Sequence, residues 1–188
     1  MRSHVVIGVF ALTLAACAAT LHVDSDFDAS VDFGHYRSFA WIREDPLIQS
    51  ASSPARVSPL NQRRIKEAIE SQLIAKGFTL SGDRAAADFV VSYTVGSRDK
   101  IDVVSYPAPF VWNGRWGGAY YGHELDVLPY REGQLAIDVF DGATHQPVWH
   151  GSATKRISEA DRQNAKPQID AAVAAILARF PPPLPGEN

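Results

Sequence analysis

Two hydrophobic periods divide this chain and limit the folds open to it. The runs "ADFVVSYTV" and "QLAIDVFD" alternate apolar and polar residues, which is typical of strands with one buried face. The buried-side residues predicted are Phe89, Val91, Tyr93 and Val95 in the first run, and Leu135, Ile137 and Val139 in the second. The second run turns through "DGATHQ" into "PVWHGSATK", which predicts a hairpin.

Apolar residues three and four positions apart predict two amphipathic helices. The first has Ser58 as cap, Pro59 at its first position and Gly77 as its stop, and the second covers about residues 164–180 before Pro181. Their apolar faces consist of Ile65, Ala68, Ile69 and Leu73, and of Ile169, Ala172, Val173, Ile176, Leu177 and Phe180.

The element order is strands, helix, strands, helix, with two further short strands expected around the turn within residues 21–42 and a loop at 43–60. Hairpin links and only two helices favour an α+β fold, an antiparallel sheet with both helices packed on one face. We expect a single domain over residues 21–181 and a Pro-rich tail over 182–188. Cys17 is the only cysteine of the chain, so this domain must be held by its core without disulfides.

The N-terminus has the layout of an export signal. Arg2 precedes an apolar run, Val5–Leu14, that is too short to span a bilayer, and small residues follow it. "LAAC", ending at Cys17, resembles the bacterial lipobox, in which the cysteine thiol takes a diacylglyceryl group and the new amino terminus is acylated after cleavage. We expect a signal peptide at 1–16, lipidation of Cys17 and a tether at 17–20. The alternative is an ordinary signal peptide with an incidental cysteine.

The predicted address is the outer membrane, with the domain facing the periplasm, since alanines rather than an aspartate follow Cys17. Without residues 1–16 the chain has 17 basic and 21 acidic residues, because Arg2 is the only charged residue removed from the 18 and 21 of the full sequence. The charges are spread along the chain. This excludes a basic surface for nucleic acid.

Several landmarks in order resemble the bacterial lipoprotein family known as domain of unknown function 4136. They are the aromatic pair before Trp41, Lys76-Gly77-Phe78, Ala87-Asp88, Gly-x-Leu-x-Ile-Asp at 133–138, Trp149-x-Gly151 and Phe180-Pro181-Pro182. The resemblance implies an anchored envelope domain of α+β type and carries over no catalytic residue. It departs at His150, where the family more often has arginine.

Motifs that could indicate chemistry are weak. Ser152-x-x-Lys155 matches a penicillin-binding tetrapeptide, but it lies in a predicted strand and lacks the companion motifs. The histidines show no metal-ligand spacing, and Asp138 with Asp141 fits a strand end and turn. We therefore expect no catalytic residue, no metal and no cofactor.

The segment 105–130 has no sustained period and reads as a long aromatic, Gly- and Pro-rich loop inserted between strands. Its rings could contact a partner or could cover the sheet as additional core. The candidate partner-binding residues are Tyr106, Phe110, Trp112, Arg115, Trp116, Tyr120 and Tyr121.

Three functions remain open at this point. The first is a non-enzymatic, membrane-anchored envelope lipoprotein whose periplasmic domain binds or organises an envelope component. The second is a glycan- or small-molecule-binding module that uses residues 106–121. The third, an envelope hydrolase, is disfavoured because no nucleophile and base converge in the sequence.

Overall fold

The computed structural model describes residues 20–48, 57–111 and 119–183, with the backbone alone at 102–111 and 119–128. The strands are β1 (His22–Phe27), β2 (Ser38–Trp41), β3 (Leu47–Ile48), β4 (Thr79–Leu80), β5 (Phe89–Val111), β6 (Ala119–Asp141) and β7 (Pro147–Arg156). The α-helices are α1 (Pro59–Ala75), α2 (Glu159–Gln163) and α3 (Ala165–Leu177).

One seven-stranded sheet organises the described chain, in the order β1-β7-β6-β5-β2-β4, with β3 also paired to β5. The β1, β7, β6 and β5 strands are antiparallel neighbours, which confirms the predicted α+β class. However, β2 and β3 run parallel to β5, and β4 runs parallel to β2. The reason is that α1 carries the chain back along the sheet before β4 and β5 begin.

The predicted signals of the first helix are confirmed. The Ser58 side chain accepts a hydrogen bond from the Asn61 amide at 3.2 Å, and Pro59 opens the helix. Gly77, just past the helix end, has a φ of +94°, which a side chain would disfavour.

The second predicted helix is also confirmed, as α3, and α2 precedes it. Ser158 caps α2 in a reciprocal arrangement, in which its hydroxyl accepts from the Asp161 amide while the Asp161 carboxylate accepts from the Ser158 amide.

The core lies between one face of the sheet and the two long helices. The predicted apolar faces meet there, and Ile69, Leu73, Val173, Ile176 and Leu177 are fully buried. An aromatic cluster fills the end of this layer around Phe180, whose ring lies 5.2 Å from Trp149 and 5.5 Å from Phe89 between centroids. Both helices therefore pack on the same sheet face, as predicted.

The expectation of a loop over residues 105–130 is wrong for the described part of that segment. The strands β5 and β6 continue through it as one hairpin, paired from Phe89↔Asp141 to Val111↔Ala119. Neighbouring strands pair with only the inner half: β3 reaches Thr94, and β7 ends opposite Glu132.

Residues 99–111 and 119–131, named here the arm, pair only with each other among the described strands. At about 3.4 Å per residue the arm is on the order of 40 Å long. Strands outside a covered sheet need not alternate apolar and polar residues, which explains why the period was absent.

Candidate functional site

A groove of about 420 Å³ lies at the root of the arm, between the first turns of α1 and α3 and the strands β5, β6 and β7. Its walls are mostly apolar. They include Val57, Ile65, Val95, Leu135, Ile157 and Ile169.

Small residues create the space inside this groove. Ala153 lines it from β7, and Ala165 and Ala172 line it from α3. On β6, Gly133 lets Ile157 approach the sheet, since a Cβ at Gly133 would lie 2.8 Å from the Ile157 Cδ1. The groove is therefore built by residue size, a property that periodicity does not predict.

A polar group stands at the rim. The Lys155 ammonium donates to the Asp161 carboxylate at 2.8 Å and to the Gln168 side-chain oxygen at 2.5 Å. The bond from Lys155 and those from Ser158 lower the pKa of Asp161 from 3.8 to about 2. Lys155 is thus held by partners from α2 and α3, and the network fastens both helices to β7.

The geometry of β7 does not support the resemblance of Ser152-x-x-Lys155 to the penicillin-binding tetrapeptide. Ser152 and Lys155 lie three positions apart on β7, and an odd separation in a strand places two residues on opposite faces. The structure does not bring these two side chains together, which confirms the strand context expected from the sequence.

The sheet face away from the helices carries a second polar pair. The Asp138 carboxylate and the His150 Nδ1 are 2.7 Å apart, and the imidazole is about half exposed. Asp141 has a different role: it accepts bonds from the amides of Thr144 and Ala143 and from the Tyr36 hydroxyl. These bonds lower the pKa of Asp141, and the bond from the Thr144 amide has the largest effect. This is expected for a carboxylate in a turn.

Within the described residues, no group of three or more His, Cys, Asp or Glu side chains is arranged to hold a metal ion. In the same parts of the chain, none of the helices has the length and apolar composition that crossing a membrane requires.

The candidate aromatic residues that the structure describes belong to the arm. Phe110 pairs with Tyr120 next to the last described pair, Tyr121 pairs with Pro109, and Tyr106 pairs with Glu124. Trp112, Arg115, Trp116 and Cys17 lie outside the described residues.

The root of the arm is fixed by charge and stacking. Lys100 donates to Glu132 at 2.9 Å, Arg131 donates to Asp99 at 3.0 Å, and the Arg156 guanidinium lies 4.3 Å from the centre of the Tyr130 ring. The groove lies next to these contacts, since its lining residues Gly96 on β5 and Gly133 on β6 are within three residues of Asp99 and Arg131.

Sequence reasoning missed the groove and its rim. The capping pattern Ser158-x-x-Asp161 was readable, because an acceptor three residues after a serine is a helix-start signal. The partnership of Lys155 with Gln168 was not readable, since it joins residues on two elements.

Comparison with known families decides the classification. Residues 23–182 match the model of DUF4136, a domain of unknown function. The chain belongs to this family. No curated protein matches this chain closely enough to suggest an activity.

One solved structure, from the same family, shows the same fold, and other solved structures have lower similarity. A DUF4136 family protein from Bacteroides thetaiotaomicron is similar with a TM-score of 0.53 at 14% identity, over 86% of this chain and 96% of that one. A PDZ domain protein from Parabacteroides distasonis gives a TM-score of 0.47 at 15% identity, over 88% of this chain. The chain described here spans only 37% of the length of the Parabacteroides protein. A PelC dodecamer from Paraburkholderia phytofirmans gives 0.46 at 12% identity, over 85% and 96% of the two chains.

Proposed function

We propose that this DUF4136 protein is a non-enzymatic cell-envelope lipoprotein, anchored through Cys17 in the outer membrane, that binds a periplasmic envelope protein through its arm. The observation that carries the proposal is the arm itself. Its thirteen residue pairs, Asp99↔Arg131 to Val111↔Ala119, have no third strand among the described residues.

A two-stranded ribbon is marginally stable by itself in water, so a long one gains most by lying against something else. Four of the seven candidate residues are in its strands, and Trp112, Arg115 and Trp116 fall between its two described ends. Aromatic and arginine side chains carry much of the energy of protein interfaces. This favours a contact role for the arm over a role as additional core.

The non-catalytic part of the proposal is supported by what the described polar groups do. The Lys155–Asp161 pair fastens α2 to β7, and the Asp141–Tyr36 bond of 2.9 Å fastens the β6 end to the turn before β2. Each pair has a structural use that needs no reaction.

The anchor is tested by Cys17→Ser. Lipidation requires the thiol, so this variant should accumulate as an unprocessed precursor without metabolic lipid label. A labelled Cys17→Ser protein, or a mature wild-type protein that begins at another residue, contradicts the anchor.

The arm is tested by the double change Trp112→Ala with Trp116→Ala in the full-length protein. We expect an unchanged thermal midpoint and loss of the envelope protein that crosslinks to wild type. Trp149→Ala is the matched control: Trp149 is 2% exposed, and its truncation should cost about 3–5 kcal/mol. A similar loss of stability in the double variant would make those tryptophans core and refute the contact role.

The glycan alternative separates in the same experiment. If the double change spares the protein crosslink but removes binding to isolated peptidoglycan fragments, the arm binds glycan and the leading proposal is wrong.

A further inference from the structure

We propose that the groove at the root of the arm holds one acyl chain of the protein's own Cys17 anchor. This inference rests on the proposed lipidation of Cys17 and goes beyond it, because it gives part of the anchor a binding site within the domain.

The first argument is distance. Thr20 is the first described residue, and Leu21, the next, lines the groove. Four residue steps separate Cys17 from Leu21, which even a fully extended backbone stretches to only about 14 Å. The modified cysteine therefore lies within about 14 Å of a residue that lines the groove.

The second argument is chemistry. The lining is apolar apart from a few groups at the rim. The charged groups among them are paired, Lys155 with Asp161 and Arg162 with Glu159. An unbranched hydrocarbon needs no hydrogen-bond partner, so an apolar groove can hold it without leaving a buried polar group unpaired. The volume of about 420 Å³ falls in the range of small-ligand sites.

The third argument is linkage. A chain tethered within about 14 Å is present at a high effective concentration, so it competes well with free lipid for the same groove. A lipoprotein cysteine carries a diacylglyceryl group and an N-terminal acyl chain. When one of these chains enters the groove, two remain in the membrane, enough for stable anchoring.

The experiment uses the full-length protein in intact Gram-negative cells fed a fatty acid that carries a photoreactive diazirine. After illumination, the protein is digested and its crosslinked peptides are identified by mass spectrometry. We expect an internal crosslink that joins the Cys17 lipid to groove peptides containing Ile157 or Ile169.

Ala172→Phe should abolish this crosslink by filling the groove from α3, and Ala165→Phe should do the same from its first turn. Ala171→Phe is the matched control, because Ala171 is exposed on the same helix and does not line the groove. The thermal midpoint of each variant shows whether the protein with the filled groove is still folded. If one of the two groove-filling variants does not fold, the other still gives the test.

The outcomes separate the two proposals. Absence of label on wild-type Cys17 refutes the lipid anchor and this inference with it. Label on Cys17 without an internal crosslink refutes this inference alone. A phospholipid adduct on the groove peptides in place of the Cys17 crosslink also refutes it, because the occupant is then a bilayer lipid.

Discussion

The two halves of the β5–β6 hairpin are continuous in backbone and opposite in environment. In the inner half, Val91 and Val139 pair with each other, are fully buried beneath the helices, and lie between strands on both sides. In the arm, Ile101 is 65% exposed, and this part of β5 pairs only with β6 among the described strands.

The same secondary structure is therefore stabilised by different forces in the two halves. The inner half is stabilised by burial of apolar area, whereas the described base of the arm relies on hydrogen bonds and on ion pairs such as Lys100–Glu132. Apolar burial is thus found at the inner end of the two strands, and two-stranded pairing without a third strand at the described outer end.

The largest expected effect is on the body of the fold. Ile69→Asp places an unpaired charge on the fully buried face of α1 and should cost more than about 4 kcal/mol, enough to unfold the domain. Val173→Asp on α3 should do the same. Ile74→Asp is the control, since Ile74 is 54% exposed on α1. Circular dichroism during thermal unfolding checks all three, and a normal melt of Ile69→Asp would mean that the helix face is wrongly assigned.

The comparison between the two halves is sharpened by one substitution made in each. Ile137→Thr, on the buried inner half of β6, should cost about 2–4 kcal/mol because it removes a methyl group and buries a hydroxyl. Ile101→Thr, in the arm, should change the free energy of unfolding by less than about 0.5 kcal/mol. Urea denaturation measures both, and equal losses would show that the arm belongs to the core.

Two glycine substitutions, one in the packed core and one near the arm, test the same difference between the two halves. A Cβ at Gly151 would lie 2.2 Å from the Trp149 ring and 2.7 Å from Ile176, so Gly151→Ala should cost about 1–3 kcal/mol through overpacking. Gly96→Ala, near the arm, meets Gln134 only at 4.0 Å and should be neutral or slightly stabilising. A destabilised Gly96→Ala with an unaffected Gly151→Ala would reverse this order and contradict the packing described here.

The smallest expected effect is a response to acid at the groove rim. Because the pKa of Asp161 falls to about 2 in the folded protein, its carboxylate stabilises the fold above the unfolded value of 3.8. That contribution is lost as the pH drops from 3.8 towards 2. Asp161→Asn should flatten the stability profile in this window and leave its shape near neutral pH unchanged. An unaltered acid slope in the variant would mean that Asp161 contributes nothing to the fold's acid sensitivity.

The fold was largely predictable, and the groove was not. The periods around Ile69, Val91 and Val173 report which side of each element is buried, and burial under the two helices confirms them. The groove depends on Gly133 facing Ile157, and its rim on Lys155 meeting Gln168. These contacts join distant parts of the chain, and no local pattern encodes them.

Local patterns were enough to predict the elements that pack one face against the core: the helix from Ser58 to Gly77, the alternating inner strands and the helix before Pro181. The same residues also identified the family. Three features became visible only in the folded chain: β2 runs parallel to β5, residues 105–111 and 119–130 are paired strands, and a groove lies at the root of the arm. A buried core requires an apolar residue at every turn of a helix and at every second residue of a strand, so it leaves a period in the sequence. Pairing partners and empty space are set by residues far apart in the chain, and they leave none.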